Sequence, residues 1–190
     1  MKQFITVEKY NTQWESEFCK LQTLINNVMG ELIFSIEHVG STSIKGLASK
    51  PILDVDVIIE DYDVFPKVIK RLEHIGYFHQ EEWSFKGREA FGRKNQYVPR
   101  DGKNTIWMEH HLYVCDKNSE ELRRHVAFRD YLRGNPNVVI EYGKLKKELA
   151  ETAENRLNYS LGKTEFIEYV LEKAMKGSLN KGVCINKKID

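Results

Sequence analysis

The stretch from His38 to Ile59, HVGSTSIKGLASKPILDVDVII, constrains the fold of this chain more than any other. An apolar β-type segment (Ile33, Phe34, Ile36, Val39) breaks at Gly40-Ser41 and continues as small polar residues through Thr42 and Ser43. A second strand starts after Pro51 and carries Asp54 and Asp56 inside Ile52–Ile59. Residues two apart in a strand share a face, so the two carboxylates project together. Val55, Val57 and Ile59 then project the other way, into a core. Two carboxylates on one face of an apolar strand are costly unless their charge is compensated. A divalent cation does this, and paired oxygen ligands suit a hard ion such as Mg²⁺.

A strand, a Gly-Ser turn, a short helical segment and an Asp-x-Asp strand form a layout similar to that of the nucleotidyltransferase superfamily. The longer string HVGSTSIKGLASKPILDVDV resembles the GrpB family, and so do HHLYV, AFRDYLRGNP and EYGKLKKELA. The resemblance runs roughly from Tyr10 to Leu171. It implies an α/β (α+β) fold: a nucleotidyltransferase-like mixed sheet flanked by helices, with further helices at the C-terminus. It also implies that Gly40, Ser41, Thr42 and Ser43, with Lys50 close by, hold triphosphate oxygens, and that Asp54 and Asp56 bind metal. A glycine turn lets the backbone approach a phosphate, and a helix N-terminus favours the anion.

The third strand expected is Thr105–Val114, TIWMEHHLYV. Alternation places Trp107, Glu109, His111 and Tyr113 on one face, and Met108, His110, Leu112 and Val114 on the other. The second set packs against a helix, with His110 as a satisfied structural histidine. Superfamily members that transfer nucleotides usually carry a third carboxylate on such a strand, and by parity Glu109 is the candidate metal ligand here. The family form resembles His-His-Leu-His, so Tyr113 stands where a histidine is typical. His111 beside Glu109 can ligate metal or shuttle a proton near neutral pH.

The remaining chain is read as support for this centre. Thr12 and Glu15 have capping-box spacing ahead of a helix with Trp14, Phe18, Leu21, Ile25 and Val28 on one stripe, running to about Gly30. Cys19 sits beside that stripe as a small core or boundary residue. A helix follows Asp61-Tyr62-Asp63, with Pro66 in its first turn. Tyr77–Phe85 and Ala90–Val98 read as a hairpin around Lys86-Gly87-Arg88, and Arg93 in its second arm is a candidate phosphate donor. Ser119 opens a helix that ends at Gly134, and Asn135-Pro136 opens the next. In that helix Val138, Tyr142, Leu145, Leu149, Ala153 and Leu157 form the apolar stripe. Lys144, Lys146, Lys147 and Glu148 fall on its solvated face, with Lys144 the lysine of the family-like YGKLK string. A last helix starts at Thr164-Glu165, and the segment after Gly177 lacks periodicity and is expected to fray.

At 190 residues the pattern fits one domain over residues 1–176 with a tail over 177–190. The formal net charge of +1 gives no broad basic field, which argues against a nonspecific nucleic-acid partner. Three spaced cysteines form neither a metal pair nor a disulfide framework. With no signal-like leader and no membrane-length apolar run, the expectation is a cytoplasmic protein. The function expected is Mg²⁺-dependent transfer of a nucleoside monophosphate from a nucleoside triphosphate to an acceptor. Its alternative is the same pocket binding a nucleotide or other phosphorylated small molecule without chemistry.

Overall fold

The computed structural model describes residues 5–179, with the side chains of residues 177–179 left aside. Five strands form one mixed sheet: β1 (Ser35–Val39), β2 (Leu53–Ile59), β3 (Tyr77–His79), β4 (Glu89–Arg93) and β5 (His110–Asp116), in the order β1-β2-β5-β4-β3. β2 and β5 run parallel, and the other neighbours are antiparallel. The helices are α1 (Gln13–Met29), α2 (Phe65–His74), α3 (Glu120–Gly134), α4 (Pro136–Thr152), α5 (Arg156–Leu161) and α6 (Thr164–Leu179). Among the described residues, no helix is long and apolar enough to cross a membrane.

The strand alternation read from the sequence divides the sheet into two unlike faces. Val55, Val57 and Ile59 join Ile36, Phe91, Leu112 and Val114 in the main core, roofed by Trp14, Phe18, Leu21 and Ile25 of α1 and by Val68 and Leu72 of α2. On the opposite face Ile58 and Cys115, paired in register, pack under Leu122 and Val126 of α3. That face also carries Asp54 and Asp56, so α3 roofs one end of it and leaves the other open. A second apolar cluster ties Ile44 and Leu47, just after the Gly-Ser turn, to Leu132, Val139, Tyr142 and Val170 of the C-terminal helices. The turn is thereby clamped between sheet and helices.

Local chemistry accounts for most boundaries. Ser119 accepts from the Leu122 amide at 3.2 Å and caps α3. Lys86-Gly87 closes a two-residue hairpin, with Phe85 and Arg88 exchanging backbone bonds of 3.0 and 2.9 Å. The arms of that hairpin are shorter than expected, because residues Glu81–Trp83 curl into a 3₁₀ turn. α1 starts one residue earlier in its capping than the sequence suggested. Asn11, not Thr12, accepts from the Gln13 amide at 2.9 Å, and Thr12 makes no side-chain cap. Cys19 is exposed rather than packed in the boundary of the stripe. α6 runs through Leu179, while residues 180–190, with Cys184, lie outside the described residues.

β5 begins only at His110, so strand alternation does not extend back to Trp107. Trp107 turns into the main core and donates its indole N–H to the Pro99 carbonyl at 2.7 Å. His110 is the structural histidine expected: Tyr77 Oη lies 2.6 Å from Nε2, and Nδ1 lies 2.8 Å from the Met108 carbonyl. Burial pushes its pKa down to about 4, so the ring is neutral at pH 7. Tyr77→Phe should therefore strand a buried ring nitrogen at a cost of about 1–3 kcal/mol, read as a lower urea midpoint with an unchanged slope.

Candidate functional site

The site is built where β1, β2 and β5 meet. Asp54 stands opposite Val39 in β1 and opposite His111 in β5, while Asp56 stands opposite Glu37 and Tyr113. Both acids share a face, as strand parity requires. Gly40 ends β1 with φ +67 and ψ −172, and a Cβ built on it would lie 2.0 Å from Asp54 Oδ2. The absence of a side chain at Gly40 is thus what lets the turn sit against the carboxylate.

The two acids have different surroundings. Asp54 is part-exposed, and its Oδ1 lies 3.0 Å from His111 Nδ1. That hydrogen bond holds the His111 pKa above its ordinary value, against a smaller effect of burial. Asp56 is fully buried, with Oδ2 2.7 Å from His125 Nδ1 on α3. Burial disfavours the His125 cation, but the hydrogen bond to Asp56 and the charges of Asp56 and Glu121 outweigh it and raise the pKa. Asp56 Oδ1 is buried without a hydrogen-bond partner. Arg129, also on α3, pairs with Glu37 at 2.6 Å and donates to the His38 carbonyl at 3.2 Å. Arg133 holds the Ser43 carbonyl at 2.9 Å. α3 therefore locks the acid face and the turn in one frame.

Asp54 opens into a cavity of about 670 Å³, whose wall includes Ser41, Lys50, Glu109, His111, Lys146, Arg156, Tyr159 and Lys163. Four of these are cationic residues. Lys146 is 2% exposed; it donates to Ser49 Oγ at 3.2 Å and faces the Tyr142 ring at 4.9 Å. Burial, with Lys163 and Lys50 nearby, pulls its pKa down to about 7. Burial and Lys50 likewise pull Lys163 down to about 8, and burial and Arg156 lower Lys50. Lys50 and Lys163 both face the Tyr159 ring, at 4.2 and 4.6 Å. Ammonium groups crowded this way bind a polyanion well, because an anion relieves their mutual repulsion.

The residues singled out in the sequence are distributed unevenly around this cavity. Ser41, Lys50, Asp54, Glu109 and His111 line it. Thr42 and Ser43 turn to the other side of the Gly-Ser turn, where Thr42 bonds His38 and the Ile52 carbonyl and Ser43 bonds the Gly40 carbonyl. Arg93 is drawn to Glu109 at 2.6 Å and to the Val98 carbonyl, and it does not line the cavity. Lys144 is exposed, and it is Lys146 that the helix turns inward. The sequence reading does not single out His125, Lys146 or the wall residues Trp83, Arg156, Tyr159 and Lys163. His125 lies two residues before the start of the AFRDYLR string, and a buried strand acid needing a partner is its only signal. Lys146 follows Val139 and Tyr142 at steps of three and four, which places it on the buried stripe, but its charge read as solvated surface.

Comparison with known proteins adds four findings. A family profile described as GrpB protein matches residues 4–173. The UPF0157 protein YqkA of Bacillus subtilis is 32% identical over 196 aligned residues, covering 100% of this chain and 54% of YqkA, so the chain spans about half of that relative. The crystal structure of the conserved protein GrpB from Enterococcus faecalis superposes with a TM-score of 0.77 at 31% identity, covering 92% of this chain and 99% of that one. The poly(U) polymerase Cid1 superposes with a TM-score of 0.51 at 10% identity, covering 76% of this chain and 43% of Cid1, a likeness of fold alone.

Proposed function

This chain belongs to the GrpB family and has a nucleotidyltransferase-like fold, and on that premise we propose that it binds a nucleoside triphosphate and transfers the nucleoside monophosphate to an acceptor. The observation that carries the reading is the position of Asp54, which stands between the Gly40 turn and a cavity walled by Lys50, Lys146 and Lys163. The lysines and Ser41 hold the β- and γ-phosphates, which brings the α-phosphorus against the acid face. The fold likeness to Cid1, whose structure has been determined with the UTP analogue UMPNPP, supports the same choice of ligand.

Among the described residues no group of three or more His, Cys, Asp or Glu side chains is placed to hold a metal ion, and Asp56 is fully buried, so Mg²⁺ here would rest on the two aspartates together with substrate phosphates. Asp54 Oδ2 faces the turn, and Asp56 Oδ1 is a buried acceptor with no partner. Mg²⁺ is typically held by one or two carboxylates together with substrate phosphates, so no third protein ligand is required. When bound, the ion neutralises charge developing on the transferred phosphoryl group. Asp54 Oδ1 fixes His111 through Nδ1, which leaves Nε2 to accept the proton of the attacking hydroxyl. The acceptor oxygen then bonds to the α-phosphorus, the bond to the bridging oxygen breaks, and pyrophosphate leaves.

The test is pyrophosphate release from each nucleoside triphosphate with Mg²⁺. Asp54→Asn combined with Asp56→Asn should lower the rate at least a hundredfold while the far-ultraviolet dichroism is retained. Release at the wild-type rate from that variant would exclude the reading. A second reading, binding without transfer, is favoured by the His125 bond to Asp56 and by the pairing of Glu109 with Arg93. The first bond engages a carboxylate that transfer would use, and the second occupies the acid expected as a third metal ligand. It predicts calorimetric binding of the triphosphate and its recovery intact.

A further inference from the structure

Of the three tryptophans, Trp14 and Trp107 lie in the main core, whereas Trp83 is 65% exposed and lines the cavity beside Asp54. A single exposed apolar side chain is ordinary on a protein surface. What sets Trp83 apart is where it stands and how firmly its backbone is held. It ends the 3₁₀ turn Glu81–Trp83, its amide donates to the Gln80 carbonyl at 3.0 Å, and Arg88 Nη2 donates to its carbonyl at 3.3 Å. Ser84 Oγ next to it bonds both the Gln80 carbonyl and the Ala90 amide. Arg88 in turn lies 4.3 Å over the Phe85 ring and 4.3 Å over the Tyr113 ring, and Tyr113 stands opposite Asp56. The hairpin tip is therefore folded onto the acid face and pinned there.

The other cavity aromatic, Tyr159, has its ring engaged by Lys50 and Lys163. The ring pairs and ring–cation contacts found among the described residues do not include Trp83. Across the sheet the wall runs from Ser41 and Lys50 before β2, through Asp54 on β2 and His111 on β5, to Trp83 between β3 and β4. From β2 to β4 is two strand spacings, about 10 Å. That is a span a ribose and base can cover from a phosphate held at Asp54. Apolar indole faces stack well on a nucleobase, and the contact is tolerant of base identity.

We infer that Trp83 is the stacking platform for the base of the bound nucleotide, so the ligand is a nucleoside triphosphate and not a bare polyphosphate; this rests on the reading of the cavity given above. Arg88 is the positioning residue that holds the platform. Because the Trp83 ring is outside the core, its removal leaves the fold intact.

The experiment compares calorimetric affinities for ATP, GTP, CTP, UTP and inorganic tripolyphosphate in the wild-type chain, Trp83→Ala and Trp83→Phe. Trp83→Ala should weaken every nucleotide on the order of tenfold or more while tripolyphosphate stays within twofold, and Trp83→Phe should recover most of the loss. Arg88→Ala should weaken nucleotides in the same selective way. The inference is overturned if Trp83→Ala leaves nucleotide affinity unchanged, or weakens tripolyphosphate to the same extent. If the wild-type chain binds neither class of ligand, the triphosphate reading itself fails and the platform with it.

Discussion

Gly40→Ala is expected to abolish polyphosphate binding and to destabilise the chain by about 2–4 kcal/mol. Two costs coincide at this position. The first is conformational: φ +67 with ψ −172 is a backbone region that an L side chain avoids. The second is steric, since the new Cβ would lie 2.0 Å from Asp54 Oδ2, 2.8 Å from its Cγ and 2.9 Å from its Cβ. Rotating the carboxylate cannot relieve a contact that reaches back to Asp54 Cβ, so β2 or the turn must move. Either movement also strains the hydrogen bond to His111. Gly46→Ala separates the two costs. Gly46 has φ +84, but a Cβ there meets nothing within 4 Å. Its substitution should cost about 1–2 kcal/mol in urea denaturation and leave tripolyphosphate affinity unchanged. If Gly40→Ala behaves like Gly46→Ala in both measurements, the close approach of turn and acid has no functional weight.

The contrast between these two glycines marks what the sequence could convey. Strand period is exact, so placing Asp54 and Asp56 on one face, with Val55 and Val57 on the other, needed nothing beyond counting. The same counting failed at Trp107, because it assumed a strand where the chain is still irregular, and β5 begins only at His110. Capping of α1 falls to Asn11 because Thr12 already has helical dihedrals, φ −63 and ψ −19, whereas a capping side chain works from a non-helical backbone. The partners of the acids were harder to read. His125 reaches Asp56 across 69 residues of sequence, and no local pattern reports such a contact. Lys146 was legible by spacing and hidden by charge: at 2% exposed it breaks the rule that helical lysines are solvated. The anion site proposed above is where that rule should break.

Lys146→Met should remove most of the polyanion affinity and at the same time raise stability at neutral and acidic pH, a combination that a structural lysine would not give. The ammonium has Ser49 Oγ and the Tyr142 ring for company, with Lys163 and Lys50 adding repulsion. In the unfolded chain its pKa is the ordinary 10.5, and in the folded chain it falls to about 7. Between those values the unfolded state binds more protons, so stability rises with pH across the window from about 7 to 10.5. Below pH 7 the folded lysine is charged as well and the full burial penalty is present. Methionine fills a similar volume without that charge, so its advantage should be a few kcal/mol near pH 6 and should vanish toward pH 10. Loss of a charge-assisted contact should weaken tripolyphosphate on the order of tenfold or more. Wild-type binding at pH 8 should take up protons, seen as a calorimetric enthalpy that varies with the ionisation heat of the buffer, and Lys146→Met should reduce that uptake. Thermal melts of the variant at pH 6 and pH 9, paired with tripolyphosphate titrations, decide the matter. A variant less stable at both pH values would make Lys146 a packing residue, and unchanged affinity would remove it from the anion site.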